Sequence, residues 1–183
     1  MSMAVSQPLS ENSVLPVIVM GVSGCGKTSV GERLANALNC RFIEGDSLHP
    51  PANIAKMSAG IPLSDEDRWP WLDLIGGLIG ESVARGERVI VSCSALKKIY
   101  RDRLRAAAGG RLAFVFLEGS RAVFDQRMKA RAGHFMPASL LDSQFATLEP
   151  PTGEPGVVTV DVDLPLAGIV EKALAGLQDL PAR

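Results

Sequence analysis

The residues Gly21-Val22-Ser23-Gly24-Cys25-Gly26-Lys27-Thr28 fill every fixed position of the pattern G-x-x-x-x-G-K-[ST], the spacing that cradles the phosphates of a nucleoside triphosphate. Glycines there let backbone N–H groups converge on phosphate oxygens without a Cβ in the way. A helix starting at the end of the loop adds unpaired N–H groups and the positive end of its dipole. Lys27 is expected to bridge the β- and γ-phosphates, Thr28 to offer a hard oxygen to Mg²⁺, and Ser29 to complete the nucleotide-binding stretch. Cys25 reads as a small loop residue; a helix N-terminus can acidify a thiol, which makes nucleotide-protected alkylation the alternative. No N-K-x-D segment occurs and no D-x-x-G follows a strand, which disfavours the guanine-nucleotide switches.

A phosphate loop fixes the donor and leaves the acceptor open, so the ends of the other strands carry the remaining information. Glu44-Gly45-Asp46-Ser47-Leu48-His49-Pro50 sets two carboxylates two residues apart, and in extended chain both point the same way, toward the γ-phosphate. Glu44 is assigned with Thr28 to the Mg²⁺ shell, and Asp46 to accepting a hydroxyl proton from the acceptor. Further along, Arg68 stands in the run Ser64-Asp65-Glu66-Asp67-Arg68. Its planar fork suits a carboxylate substrate, or else it pairs with the neighbouring acids. Lys97, Arg101 and Arg105 recur every four residues as a cationic ridge, with Arg105 read as solvated. Lys97 and Lys98 fall in a first helical turn, where the dipole disfavours cations unless they serve an anion. With Asp46, His49 and Arg68, the residues Lys97, Lys98 and Arg101 form the expected acceptor-binding set. Arg127 and Arg131 lie one helical turn apart.

These residues need a scaffold, and the hydrophobic pattern supplies one. Val17 to Met20, Arg41 to Glu44, Arg88 to Ser92, Leu112 to Leu117 and Val157 to Asp161 read as short buried strands separated by segments of helical period. Val30, Leu34, Ala37 and Leu38 share one face of the first helix. Two helical pieces follow strand two: one opens at Pro50-Pro51 and ends at Gly60, the other runs from about Pro70 to Arg85 with acids near its entry. Ser94 and Ser120 are expected caps, and Pro137 and Pro165 expected first-turn residues. Trp69 and Trp71 read as packing residues. Strands buried on both faces and alternating with helices predict a doubly wound parallel α/β sheet of five strands. Residues 1–13 are polar and aperiodic and read as a flexible tail, leaving 14–183 as a single domain.

Composition removes other classes. With 19 Lys and Arg against 20 Asp and Glu, and 5% aromatic residues, nothing global recruits nucleic acid or an acidic membrane surface. The longest apolar stretch falls well short of the roughly 18 residues a membrane span needs, and a soluble, cytoplasmic protein is expected. The 3 cysteines form no C-x-x-C pair, in keeping with a reducing compartment.

G-V-S-G-C-G-K-T, then G-D-S-L-H-P, L-S-D-E-D-R-W-P-W-L, C-S-A-L-K-K-x-Y-R-D-x-L-R, and Lys129-Ala130-Arg131-Ala132-Gly133-His134-Phe135 together closely resemble the bacterial-type gluconate kinases, or gluconokinases. The resemblance runs from the phosphate loop to Val162-Asp163-Leu164-Pro165-Leu166. It implies ATP-dependent phosphorylation of D-gluconate at its 6-hydroxyl, a P-loop three-layer α/β/α fold with strand order 2-3-1-4-5, and a homodimer. It also implies a short mobile lid around residues 127–137, in which Arg127 and Arg131 close over the phosphates as catalytic residues and Gly133 serves as the hinge. Several members of the family carry Asp where Glu44 stands, which makes Asp46 the firmer of the two acids. Shikimate kinase is the first enzyme alternative; it fits less well because Cys93-Ser94-Ala95-Leu96 stands where a G-G-G turn belongs. Another small-molecule P-loop kinase, a nucleoside monophosphate kinase, comes next, but the chain lacks a base-reading segment and its lid is short. A nucleotide-binding regulatory module is the alternative outside catalysis, and it would not need Asp46, His49, Arg68 and Lys97.

Overall fold

The computed structural model describes residues 15–130 and 138–181. The expected tail, together with Arg131, Gly133, His134 and Pro137, lies outside the described residues. Five strands, β1 (Val17–Met20), β2 (Arg41–Glu44), β3 (Val89–Ser92), β4 (Ala113–Glu118) and β5 (Val157–Asp161), form one sheet. Its order is β2-β3-β1-β4-β5, and every pairing is parallel. Parallel strands need crossovers, and right-handed ones fix which face each helix covers. The chain leaves β1 through α1 (Lys27–Ala37) toward β2, then returns through α2 (Pro51–Ser58) and α3 (Asp65–Ala84) to β3. It continues in that same direction through α4 (Lys98–Ala107) to β4, and through α5 (Arg121–Ala130) and α6 (Ala138–Thr147) to β5. α1 therefore packs with the final helix, α7 (Leu166–Gln178), while α3 packs with α4.

Val17, Ile18, Val19 and Met20 of β1 and Val89, Ile90 and Val91 of β3 are all buried, because helices cover both sides of the sheet centre. The direction of winding reverses at β1. The carboxyl ends of β1, β3 and β2 therefore open onto one crevice, the place where such sheets bind ligands.

Two helix starts differ from expectation. α3 begins at Asp65, not near Pro70, because Ser64 closes a capping box: its Oγ accepts from the Asp67 N–H (3.1 Å) and Asp67 Oδ2 accepts from the Ser64 N–H (2.9 Å). Pro70 is carried inside the helix, at the loss of one backbone hydrogen bond. Ser94 caps nothing, since Ala95 turns left-handed (φ 46°) and α4 waits until Lys98. The Glu149 carboxylate then accepts from the Lys98 N–H at 2.7 Å and supplies the anion that this helix start favours. At α5 the expectation holds, with Ser120 Oγ accepting from the Val123 N–H. Pro165 is the cap of α7 and its ring lies just ahead of the first turn.

β2 leads straight into a short 3-10 turn, Gly45–Leu48. A Cβ on Gly45 would lie 1.9 Å from the Ser92 carbonyl oxygen, a backbone atom of the neighbouring strand that has nowhere to go. Gly45→Ala is expected to lower stability by about 1–3 kcal/mol in urea unfolding and to displace the turn that carries Asp46.

Candidate active site

Ser92 organises the end of β2. Its hydroxyl accepts from the Gly45 N–H (3.1 Å) and donates to Glu44 Oε1 (2.5 Å), while Thr28 Oγ1 donates to Glu44 Oε2. Trp71 Nε1 donates to the Gly45 carbonyl at 2.8 Å, so Glu44 and Gly45 are gripped from three sides. The 3-10 turn then aims Asp46 into a cavity, which it lines with Ser23, Lys27, His49, Arg68, Trp71, Ser94 and Gln144. The two carboxylates thus part company. Glu44 stays beside Thr28, and Asp46 faces the cavity, because the turn replaces the extended chain that would have pointed both the same way.

Thr28 and Glu44 form an all-oxygen pair in direct contact, which fits Mg²⁺. Among the described residues no group of three or more His, Cys, Asp or Glu side chains gathers to hold a metal. An ion held here would draw the rest of its shell from phosphate and water. Lys27 Nζ donates to the carbonyls of Gly21 and Val22, each at 3.1 Å. Cys25 is fully buried, and burial pushes its thiol up despite the charge of Lys27. It is a packing residue of the loop, as its size suggested.

His49 stacks on Trp71, with ring centroids 4.0 Å apart and planes at 17°. Asn53 Nδ2 donates to the Asp67 carbonyl (2.9 Å) and lies 3.2 Å from His49 Nδ1. The amide nitrogen is a donor, so Nδ1 accepts and the neutral ring carries its proton on Nε2. Burial pushes the His49 pKa down to about 4; the charge of Asp46 pulls it up and that of Arg68 pushes it further down. His49 is therefore a neutral donor at pH 7.

The expected cations divide sharply. Arg68 reaches the cavity and is steadied by Tyr100, whose hydroxyl accepts from Nη1 at 2.8 Å and donates to Asp65. Lys97 donates to the same Asp65 carboxylate at 3.0 Å, and hydrogen bonds from Tyr100 and then Lys97 hold that carboxyl below the usual range. Lys98 pairs with Asp102 at the surface (2.6 Å), away from the cavity. Arg101 corrects the expectation outright. It is fully buried and donates to Glu154 (2.9 and 2.6 Å), to the carbonyls of Ala95 and Leu96 (2.8 and 3.1 Å), and to the Glu149 carbonyl (2.9 Å). No donor is left for a substrate. Arg105, expected in solvent, is also drawn in, and donates to Glu154 at 2.8 Å. Burial opposes the charge of Glu154, but hydrogen bonds from Arg101 and Arg105 override it and hold the pKa at about 2.

On the other side of the phosphate loop, Arg127 donates to the Val162 carbonyl at 2.6 Å. It lines a second cavity with Gly24, Cys25, Ser29, Leu164, Leu166 and Ile169. Its partner in the sequence reading, Arg131, lies outside the described residues. The sequence reading missed Ser143 and Gln144, which reach the acceptor cavity from α6. Nothing in their spacing marks them, because only the fold brings α6 to the loop.

Comparison with known proteins now decides the family. A family model described as an AAA domain matches residues 17–151. The thermosensitive gluconokinase of Escherichia coli (strain K12) is 46% identical over 156 residues, covering 85% of this chain and 83% of that protein. The gluconokinase of Gluconobacter oxydans (strain 621H) is 49% identical over 144 residues, covering 79% and 80%. The crystal structure of a gluconokinase from Sinorhizobium meliloti 1021 matches at 60% identity with a TM-score of 0.83, over 90% of this chain and 92% of that one. The chain belongs to the gluconokinase family. For this gluconokinase relative, the strand order expected from resemblance is the observed one, and shikimate kinase is not favoured.

Two expectations follow. Arg101→Ala, which removes five buried hydrogen bonds and leaves Glu154 to Arg105 alone, should cost about 3 kcal/mol in urea unfolding and leave the KM for the acceptor unchanged in the folded fraction. The sign for His49 is set by a folded pKa of about 4 against an ordinary 6.5. Its neutral form stabilises the fold fully above pH 6.5, and that contribution is lost as pH falls toward 4. Thermal melting of His49→Asn across that window should fall less steeply with acidification than wild type.

Proposed function

We infer that this chain transfers the γ-phosphate of ATP to the 6-hydroxyl of D-gluconate, giving 6-phospho-D-gluconate and ADP. The observation that carries this reading is the meeting of Lys27, from the phosphate loop, with Asp46, His49 and Arg68 in one cavity. Gluconate is a linear polyol with a permanent carboxylate, so its pocket needs fixed positive charge at one end and neutral hydrogen-bonding groups along its length. Arg68 supplies the charge, in a geometry set by Tyr100. His49 Nε2–H, Ser94 and Ser143 supply neutral groups.

At the other end Asp46 orients the 6-hydroxyl. The hydroxyl oxygen forms its bond to the γ-phosphorus as the bond to the β–γ bridging oxygen breaks, and Asp46 takes the hydroxyl proton. Because the transition state is loose, this proton moves late and positioning outweighs basicity. Lys27 offsets charge on the β- and γ-phosphates. Thr28 and Glu44 would hold Mg²⁺, which when bound offsets phosphate charge during transfer. Arg127, with the apolar wall of Leu164, Leu166 and Ile169, takes the nucleoside side of ATP, beyond the loop from the acceptor.

A cytoplasmic homodimer is the location and assembly in keeping with the family. Cys25, Cys40 and Cys93 are all free thiols. No helix among the described residues is long and apolar enough to cross a membrane.

Asp46→Asn should lower kcat for gluconate by about 10²–10⁴-fold with ATP binding nearly intact. A coupled assay of ADP release, run with gluconate, shikimate, AMP and no acceptor, checks both the residue and the substrate. A wild-type rate with gluconate no higher than the rate without acceptor would overturn the reading.

A further inference from the structure

A hydrogen bond ties the phosphate loop directly to α6. Gln144 Oε1, on α6, accepts from the backbone N–H of Ser23 in the phosphate loop at 2.7 Å. Both residues line the acceptor cavity beside Lys27 and Asp46. The contact is therefore made at the edge of the loop that faces the acceptor cavity.

The loop needs such a restraint. Gly24 is left-handed (φ 81°), and although Val22 and Cys25 pack into the core, Ser23 and Gly24 between them bring no buried apolar side chain to hold their peptides in place. The chemistry of the restraint is also fitting. A carboxylate could accept from the same N–H but would put a negative charge beside a triphosphate, whereas an amide carbonyl holds the peptide without repelling the donor.

α6 is itself firmly held. Leu140 and Leu141 are buried, and Phe145 lies against Phe124 with ring centroids 5.7 Å apart. Just beyond the helix, the Glu149 N–H donates to the Leu96 carbonyl (2.8 Å). Buried Arg101 grips the Leu96, Ala95 and Glu149 carbonyls together with the Glu154 carboxylate. The cation that sequence alone assigned to the substrate thus anchors the segment from which Gln144 reaches the loop.

We propose that Gln144 is a positioning residue for phosphoryl transfer: its side-chain carbonyl holds the Ser23 peptide so that the loop-bound γ-phosphate stays aligned with the acceptor hydroxyl over Asp46. The proposal rests on the reading of the chain as a kinase acting on gluconate, and the wild-type assay with gluconate tests that reading separately.

The deciding comparison is Gln144→Ala with Gln144→Met, since methionine keeps the length and bulk of glutamine but offers no carbonyl. Both variants should lower kcat for transfer to gluconate by about 10–100-fold, the cost expected of misalignment by an ångström or less. KM for ATP and gluconate should change much less, and the melting temperature should match wild type. The slow hydrolysis of ATP by water, which needs no aligned acceptor, should fall far less than transfer. Wild-type kcat in Gln144→Met would overturn the proposal, because packing would then suffice. A parallel fall of transfer and hydrolysis, tracking a lowered melting temperature, would overturn it as well, because the residue would then serve the fold alone.

Discussion

The Glu44 carboxylate holds the donor and acceptor halves of the cleft together. One oxygen accepts from Thr28 at the head of α1, the other from Ser92 at the end of β3, and Ser92 in turn accepts from the Gly45 N–H. A parallel sheet brings the carboxyl ends of its strands to one edge, but its ladder does not fix how the loops leave them. Here that is fixed by two hydroxyls, one carboxylate and a glycine that lets β2 press against the Ser92 carbonyl. The direction of Asp46, and with it the cavity, follows from that junction.

The second governing constraint is charge. Both ligands of the proposed reaction are anions, and the sequence offers many cations near the crevice, yet the fold neutralises most of them internally. Lys97 is matched by Asp65, Lys98 by Asp102, and Arg101 and Arg105 by Glu154. A buried guanidinium without a partner would be strongly destabilising, so an arginine on the inner face of α4 must find an acid inside the protein. Among the described residues, Lys27 and Arg68 are the cations that line the acceptor cavity. Lys27 approaches from the donor side, and Arg68 arrives from α3 on the tether of Tyr100. His49 contributes a hydrogen-bond donor without charge, because its burial against Trp71 keeps the ring neutral.

What could be read from the chain follows from the range of the interactions involved. The five strands are legible because burial on both faces writes an unbroken apolar run into the sequence, and the phosphate loop because its chemistry is local and contiguous. Asp46, His49 and Arg68 are legible as residue types at strand ends and helix entries, and the structure gathers all three. Arg101 was misread because a four-residue spacing tells which residues share a helix face but not whether that face meets water or Glu154, 53 positions away. Ser94 looked like a cap, but the left-handed turn at Ala95 depends on a carbonyl held by that same arginine. Gln144 carried no signal at all, since its partner is a backbone N–H 121 residues earlier.

The central claim is that the terminal phosphate and the primary alcohol of gluconate meet beside Asp46, and a crystal structure with gluconate and a non-hydrolysable ATP analogue tests it most directly. It should show the 6-hydroxyl within about 3 Å of an Asp46 carboxylate oxygen, in line with the γ-phosphorus, and the gluconate carboxylate on Arg68. A closed complex with Asp46 turned away from the nucleotide, or with the gluconate carboxylate beside Asp46, would contradict it.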